Sequence, residues 1–186
     1  MLETRYQEDL ILIQRVKDGD KAAFSNLVRK YESVVAATVI GMLGQGDDAE
    51  DVGQNVFIRF YNAIGDFRGE ASLSTYLTRI AINLSLNEIK RRKRRNMFII
   101  GRRDEDVEIE LRDTDNVTED YDTKEAVNLA LQQLEQKFKR VVVIRMLQGY
   151  STAETAKILK LPLGTVLSRL SRAQGKLKIL LKHLIN

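Results

Sequence analysis

An acidic segment near the middle of the chain limits what the rest can fold into. Residues 104–125 carry 11 acidic and 2 basic side chains and few large apolar residues. Such a segment cannot bury enough apolar surface to offset the conformational entropy lost on ordering. We therefore predict a first domain at residues 1–95, a flexible acidic linker at 96–125 and a second domain at 126–186.

Apolar residues on both sides of this segment recur at three- and four-residue steps, the spacing of one helix face. Asp20 precedes the first such run as a helix N-cap, and Asp47 with Glu50 has the spacing of a capping box. Residues 65–72 read as a loop. No stretch alternates as a strand would, so we expect an all-α fold of two small helical domains. The runs of the first domain are Phe24, Leu27, Val28, Tyr31 and Val35; Val52, Val56, Phe60 and Ile64; and Leu73, Leu77, Ile80 and Leu84.

The second domain carries the pattern of a helix-turn-helix. Gly149 ends one helix, and Ser151 with Glu154 forms a capping box for a short second helix. Residues 161–164 include the one proline of the chain and break that helix before a longer one begins. This motif places its second helix in the major groove of DNA.

The last helix separates an apolar stripe from a face of hydroxyls and cations. The stripe is Val166, Leu170, Ala173, Leu177, Leu180 and Leu184. The opposite face holds Thr165, Ser168, Ser171, Arg172 and Gly175, with Arg169 and Lys176 at its edge. Hydroxyls contact base edges or phosphates, arginine binds guanine through two hydrogen bonds, and lysine neutralises phosphate. No acid follows Glu154, so the pattern favours DNA contact over an ordinary solvated face.

The distribution of charge supports the same interpretation. Residues 87–103 carry 8 basic and 1 acidic side chain, and residues 126–186 carry 11 and 2. Two basic blocks on either side of an acidic one indicate contact with a polyanion. The modest overall charge of +4 conceals this arrangement.

Composition excludes several kinds of site. The chain has no Cys and one His, His183, which argues against thiolate zinc sites, cysteine nucleophiles and histidine-based triads. No apolar run approaches the roughly 20 residues that span a bilayer, and the N-terminus lacks the pattern of a signal peptide. We expect a cytoplasmic protein that is not an enzyme and needs no cofactor, metal or small-molecule substrate.

Three motifs in order resemble those of bacterial sigma factors. Residues 48–57 resemble the helix D-A-E-D-x-x-Q-x-x-F, and residues 67–83 resemble F-R-G-x-x-x-x-x-x-W-L-x-R-I-A-x-N. Residues 163–174 resemble V-G-T-V-K-S-R-L-x-R-A-R. Over most of residues 10–182 the chain resembles the extracytoplasmic-function group of the sigma-70 family, which has a sigma-2 domain, a linker and a sigma-4 domain.

The resemblance implies a factor that directs core RNA polymerase to promoters and helps to melt them. The implied partners are promoter DNA, the beta-prime clamp helices and beta flap of core polymerase, and an anti-sigma factor, which could hold the protein at the inner membrane. The implied polymerase-binding residues are Asp48, Glu50, Asp51, Gln54 and Asn55. Those for the −10 element are Phe67, Arg68, Tyr76, Arg79, Asn83, Asn87, Lys90 and Arg91. Those for the −35 element are Thr165, Leu167, Ser168, Arg169, Ser171, Arg172 and Lys176.

The sequence departs from the family pattern at several positions. Gly53 stands where an apolar residue is usual, and Tyr76 stands where Trp is common. Leu167 replaces a cation before Ser-Arg, so a −35 sequence cannot be transferred from relatives. Asn55 and Gln174 replace an acid and an arginine.

Two other function classes remain open from the residues alone. One is a helix-turn-helix regulator that binds duplex DNA without polymerase. The other is a nucleic-acid enzyme that uses Asp47, Asp48, Glu50 and Asp51 as magnesium ligands, although such sites usually gather ligands from several elements. For Phe67 and Tyr76, core packing is an equal alternative to DNA contact.

Overall fold

The computed structural model describes residues 2–100 and 123–185, and every regular element in these two ranges is a helix. The first range forms α1 (Leu2–Lys17), α2 (Lys21–Leu43), α3 (Asp47–Asn62), a short 3-10 helix (Ile64–Asp66) and α4 (Leu73–Ile100). The second range forms α5 (Thr123–Gln133), α6 (Gln136–Val142), a π-helix (Val143–Leu147), α7 (Thr152–Leu159) and α8 (Leu163–Ile185). The all-α prediction is confirmed for these residues.

Helix α2 is the centre of the N-terminal domain, because its apolar stripe packs against α1, α3 and α4. Asp20 caps the start of α2 as predicted, and its carboxylate accepts hydrogen bonds from the backbone N–H groups of Ala22 and Ala23 at 2.9 and 3.0 Å. The bond from Ala23, followed by one from Arg15, holds the pKa of Asp20 below its ordinary value. The cap therefore fixes where the central helix begins.

The start of α3 differs from the prediction. Gly46, with φ 127°, takes the N-cap position and offers no side-chain hydrogen bond. Asp47 is the first residue of the helix, so the predicted capping box with Glu50 does not form. A glycine tolerates this positive φ, which an aspartate adopts only at a cost. The acids of the first turn still favour the helix through its dipole.

The helix-turn-helix of the C-terminal domain is confirmed. Ser151 Oγ accepts a hydrogen bond from the Glu154 N–H at 3.2 Å, and the Ser151 N–H donates to Glu154 Oε2 at 2.8 Å. Lys160 ends α7 in the left-handed conformation, with φ 53°. Val166 and Ala173 of the predicted α8 stripe are fully buried, and the other members are partly buried.

The predicted domain limits differ from the helix ends. Helix α4 continues to Ile100, and α5 begins at Thr123, so residues 96–100 and 123–125 are helical rather than part of a linker. The arginines and lysines at the end of α4 are good helix formers, which explains its length. The prediction of a flexible linker for residues 101–122 lies outside the described residues.

The two domains are in contact. Helix α2 packs against α5, α6 and the π-helix, and α4 packs against α7. The apolar residues Val143, Ile144 and Ile158 of the C-terminal domain join the core cluster that α2, α3 and α4 build.

Candidate nucleic-acid interface

The acidic face of α3 is open to solvent at four of the five predicted positions. Glu50, Asp51, Gln54 and Asn55 are exposed. Beneath them Val52 and Val56 are buried against the domain core. The helix thus presents two carboxylates and two amides on a fixed surface, which suits a basic partner.

Asp48 is arranged differently from these four residues. Arg92 Nε donates to Asp48 Oδ2 at 2.8 Å, and Arg91 Nη2 donates to Asp48 Oδ1 at 3.4 Å. Arg91 also donates through Nε to Glu88 at 2.7 Å, and this bond, followed by the charge of Glu88, raises the pKa of Arg91. Asp48 and Arg91 therefore join α3 to α4, and Asp48 is less available to partners than its exposed neighbours, whereas the Arg91 side chain remains 59% exposed.

A groove of about 600 Å³ runs between α2 and α3 beside the acidic face. Its floor is apolar, and Glu32 and Glu50 lie among its lining residues. Gly53 also lines it, and a Cβ added there would meet no atom within 4 Å. Gly53, which stands where the family usually has an apolar residue, therefore leaves unfilled space in the lining of the groove.

The predicted aromatic residues of the −10 surface lie in one cluster. Phe67 is 8% exposed, and its ring centroid is 5.2 Å from that of Tyr76 and 6.3 Å from that of Phe60. Tyr76 is partly buried and also meets Phe60 edge-on at 6.0 Å. In this conformation the Phe67 ring is a core group, whereas Tyr76 retains an accessible side.

The polar residues of the −10 surface are accessible in most cases. Asn83, Asn87 and Lys90 are exposed along α4, and Arg68 is exposed in the loop before it. Arg79 is partly buried, and its Nη2 donates to the backbone oxygen of Lys157 at 3.3 Å. Arg79, Asn83, Asn87 and Lys90 recur at three- and four-residue steps and therefore lie on one face of α4.

The predicted −35 surface lies at the N-terminal half of α8. Leu167, Ser168, Ser171 and Arg172 are exposed, the Leu167 side chain at 52%. Thr165 and Arg169 are partly buried, and Lys176 pairs with Glu135 at 3.1 Å. Hydrogen bonds from Lys137 and then Lys176 hold the pKa of Glu135 low. Lys176 is thus partly engaged, and the Ser168 hydroxyl donates to the backbone oxygen of Thr165 at 3.1 Å, so Ser171 and Arg172 are the most available polar groups of this surface.

Sequence reasoning named Arg79 but did not predict that it lies with three other cations at a cleft between the domains. Arg59, Arg79, Arg140 and Lys160 line a cleft of about 460 Å³, and none of its lining residues is acidic. Burial, followed by the charge of Arg169, lowers the pKa of Arg140. The four cations come from α3, α4, α6 and the end of α7, so the scarcity of acids in residues 126–186 was the one sequence signal for the cleft.

Comparison with known proteins agrees with this geometry. Residues 27–95 match the family described as Sigma-70 region 2, and residues 124–177 match Sigma-70, region 4. The RNA polymerase sigma-H factor of Pseudomonas aeruginosa is 31% identical over 194 residues, with 96% of each chain covered. The ECF RNA polymerase sigma-E factor of Haemophilus influenzae is 35% identical over 173 residues, covering 89% of this chain and 91% of its own.

This chain belongs to the extracytoplasmic-function group of the sigma-70 family. It is an RNA polymerase sigma factor, a protein of transcription initiation. Similarity to solved structures supports the fold of this sigma factor. The sigma factor RpoE of Bartonella quintana, solved with the anti-sigma factor NepR, has a TM-score of 0.68 and 23% identity, covering 86% of this chain and 96% of its own. CnrH, solved with the cytosolic domain of CnrY, has a TM-score of 0.67 and 23% identity, with 95% and 98% covered.

The two family matches of the sigma factor fall on either side of residues 101–122. The region 2 match begins inside α2 and ends inside α4, and the region 4 match runs from α5 into α8. In residues 2–100 and 123–185, no helix has the length and apolarity to cross a membrane. Searched over the same ranges, no group of three or more acidic or histidine side chains is placed to hold a metal ion.

Proposed function

We propose that three surfaces of this sigma factor share the work of promoter recognition. The exposed residues of α3 bind the beta-prime clamp helices of core polymerase. Arg68, Tyr76 and the polar face of α4 bind and melt the −10 element. The N-terminal half of α8 enters the major groove of the −35 element, and the C-terminal domain also binds the beta flap.

The α8 face is the observation that carries this proposal. Ser168, Ser171 and Arg172 are exposed opposite a stripe that is anchored by the fully buried Val166 and Ala173. A rigid helix that presents hydroxyls and an arginine from a helix-turn-helix has the geometry of major-groove readout. The exposed cations and amides of α4 supply a second surface for a polyanion.

Melting needs groups that compensate for lost base stacking. Unstacking a base costs a few kcal/mol, and stacking on an aromatic ring returns about 1–3 kcal/mol per base. Tyr76 is the accessible ring of the −10 surface and lies beside Arg79 and Asn83 in the lining of one cleft. Phe67 supports Tyr76 from beneath, so we assign the stacking role to Tyr76.

The remaining parts of the proposal concern partners and chemistry. Two sigma factors of similar fold were solved with anti-sigma factors, which supports an anti-sigma factor as a partner of this chain. Core polymerase supplies the catalysis, so this chain acts without enzymatic activity of its own. It acts in the cytoplasm, and a membrane-bound anti-sigma factor would hold it at the inner membrane.

A polymerase-independent regulator is not favoured. The relatives that match nearly the whole chain are RNA polymerase sigma factors, and both domains have their counterparts in the family. A magnesium-dependent nucleic-acid enzyme is not favoured either, because Asp48, one of its supposed ligands, is engaged by Arg91 and Arg92.

Replacing Arg172 with alanine tests the −35 assignment. We expect Arg172→Ala to weaken binding of the holoenzyme to duplex promoter DNA by about 1–3 kcal/mol, because an exposed contact to a base or phosphate is lost. Fluorescence anisotropy at fixed salt measures this loss, and core polymerase affinity should be unchanged.

Lys178→Ala is the matched control for this substitution. Lys178 is exposed on the same helix and lies outside the predicted −35 residues, so the variant removes one positive charge without removing the contact. Equal losses for the two variants would show a general charge effect and reject the assignment. Reduced core affinity in Arg172→Ala would also reject it.

A further inference from the structure

Helix α1 precedes the part of the chain that matches Sigma-70 region 2, and it lies against the loop that leads into α4. The Tyr6 hydroxyl donates to the backbone oxygen of Gly69 at 2.6 Å. At the end of α1, Lys17 Nζ donates to the oxygens of Gly65 and Phe67 at 3.3 and 3.4 Å. The family match assigns no role to α1, although the helix contacts a loop that we place on the −10 surface.

The backbone of this loop has little else to hold it. In residues 68–71, the bond from Tyr6 to Gly69 is the one hydrogen bond that the backbone makes with any described residue. The next bonded groups are those of Phe67 before this segment and of Ser72 after it. Segments whose backbone is mostly solvated are the first to open locally. Loss of the Tyr6 hydroxyl would therefore free four consecutive residues.

Gly69 allows the loop to approach α1 closely. Its φ is 73°, in the left-handed region that glycine adopts readily. A Cβ at this position would lie 2.8 Å from the Tyr6 hydroxyl oxygen and 3.4 Å from Leu10 Cδ2, one turn further along α1. The loop thus fits the surface of α1 because residue 69 has no side chain.

Helix α1 is itself fixed on α2. Ile13 is buried in the core of the N-terminal domain. The buried Asp9 carboxylate accepts a hydrogen bond from the Tyr31 hydroxyl and pairs with Lys30 at 2.8 Å. Moving the two helices apart would leave a buried carboxylate without these partners, which is costly. Tyr6 therefore donates its hydrogen bond from a rigid support.

The two α1 contacts lie on either side of Arg68. Lys17 bonds to the oxygen of the residue before Arg68, and Tyr6 bonds to the oxygen of the residue after it. The Arg68 side chain is exposed, so its position depends on the backbone that carries it. Ordering a long side chain and a loose loop on binding costs conformational entropy. Holding the backbone on both sides of Arg68 lowers that cost.

Tyr6 contributes more to this contact than Lys17 does. Its bond is shorter and it is partly buried, whereas Lys17 is exposed and its bonds exceed 3.2 Å. An exposed donor exchanges its protein acceptor for water at little cost. The hydroxyl of Tyr6 is therefore the group to remove in a test.

We propose that Tyr6 is a positioning residue for promoter melting. By holding Gly69 on α1, Tyr6 fixes the loop so that Arg68 meets the −10 element in the orientation that keeps the separated strands apart. This role rests on the proposed function of Arg68 at the −10 element. The contact between α1 and the loop does not depend on that function, so the two are measured separately.

Tyr6→Phe tests the contact, because it removes the hydroxyl and keeps the ring. The chain has no Cys, so a nitroxide on Glu70→Cys, an exposed loop site, reports the mobility of the loop. We expect sharper lines in the continuous-wave electron paramagnetic resonance spectrum of Tyr6→Phe. Tyr61→Phe is the matched control, because Tyr61 is exposed and its hydroxyl makes no hydrogen bond with a described residue. Equal line shapes in the parent and both variants would overturn the proposal.

The rate of promoter opening tests the function. Holoenzyme is mixed with a promoter fragment found by run-off transcription that carries 2-aminopurine in its −10 element, and fluorescence rises as the strands separate. We expect Tyr6→Phe to lower the rate constant of opening about two- to tenfold, the factor that one hydrogen bond accounts for. The holoenzyme concentration at half-maximal rate, which reports closed-complex binding, should be unchanged, and Tyr61→Phe should open the promoter as the parent does. An unchanged rate constant, or an effect confined to the half-maximal concentration, would contradict the positioning role.

Two double variants separate positioning from a general loss of structure. Arg68→Ala should slow opening by itself, and adding Tyr6→Phe should slow it no further, because Tyr6 acts through Arg68. Gly69→Ala should also slow opening, because its Cβ would displace the Tyr6 hydroxyl. Adding Tyr6→Phe removes that hydroxyl, so the combined loss should be smaller than the product of the two single losses. Losses that multiply in either pair would reject Tyr6 as a positioning residue.

Failure of the positioning role and failure of the −10 assignment give different results. If Arg68→Ala slows opening and Tyr6→Phe frees the label without slowing it, the −10 assignment stands and the positioning role is overturned. If Arg68→Ala leaves opening unchanged, the −10 assignment of Arg68 fails, and its positioning by Tyr6 fails with it.

Discussion

Phe60→Ala should lower the free energy of unfolding by about 3–5 kcal/mol. The Phe60 side chain is 1% exposed, and its ring meets those of Phe24, Phe67 and Tyr76. Removing it leaves a cavity under α4 and takes away the partner of three other rings. Urea denaturation followed by circular dichroism measures this loss.

The expected effect is large because one ring joins the hydrophobic core to the candidate −10 surface. Ile58→Ala is the control in the same helix, since Ile58 is 56% exposed and should change stability by no more than about 0.5 kcal/mol. Phe60→Leu should cost less than Phe60→Ala because it fills part of the cavity. A loss below 1 kcal/mol for Phe60→Ala would contradict the packing described for this cluster.

The double reversal Glu50→Lys/Asp51→Lys should reduce affinity for core polymerase by about 100-fold or more. Both side chains are exposed on α3, so the fold should tolerate the change. Placing two like charges against a basic partner costs several kcal/mol. Competition for core polymerase against a labelled parent protein measures the affinity.

The control for this reversal changes the same charge elsewhere. Asp18 and Glu125 are exposed and lie on other parts of the molecule, so Asp18→Lys/Glu125→Lys should retain core affinity within a few-fold at physiological salt. Unfolding curves of both double variants should match the parent. Retained affinity in the α3 double variant would mean that polymerase binds elsewhere.

Local features of the fold were predictable because short-range chemistry decides them. The cap at Asp20 and the capping box of Ser151 and Glu154 form as predicted, since each needs only residues three or fewer positions apart. The stripe of α8 was predictable because its 3.6-residue period is determined by the sequence alone. The prediction of Asp47 as the N-cap of α3 was wrong, because Gly46, with its positive φ, takes the N-cap position and the helix begins at Asp47.

Contacts between distant parts of the chain were not predictable in this way. Gln132 and Lys139 meet α2 across more than 90 positions of sequence, and no local spacing indicates that they do. The π-helix was not predictable, because an ordinary helix fits the same apolar spacing; in the structure it packs against α2. The sequence left core packing and DNA contact open for Phe67, and the structure places that ring in the core.

Run-off transcription from a pool of genomic fragments tests the central claim most directly. Core RNA polymerase would be incubated with the fragments alone and with the purified protein, and the 5′ ends of the transcripts would be sequenced. We expect transcripts that appear only with the protein, begin at defined positions and share upstream sequences near −35 and −10. The absence of any protein-dependent transcript, with stable binding of the protein to duplex DNA without core polymerase, would contradict the account.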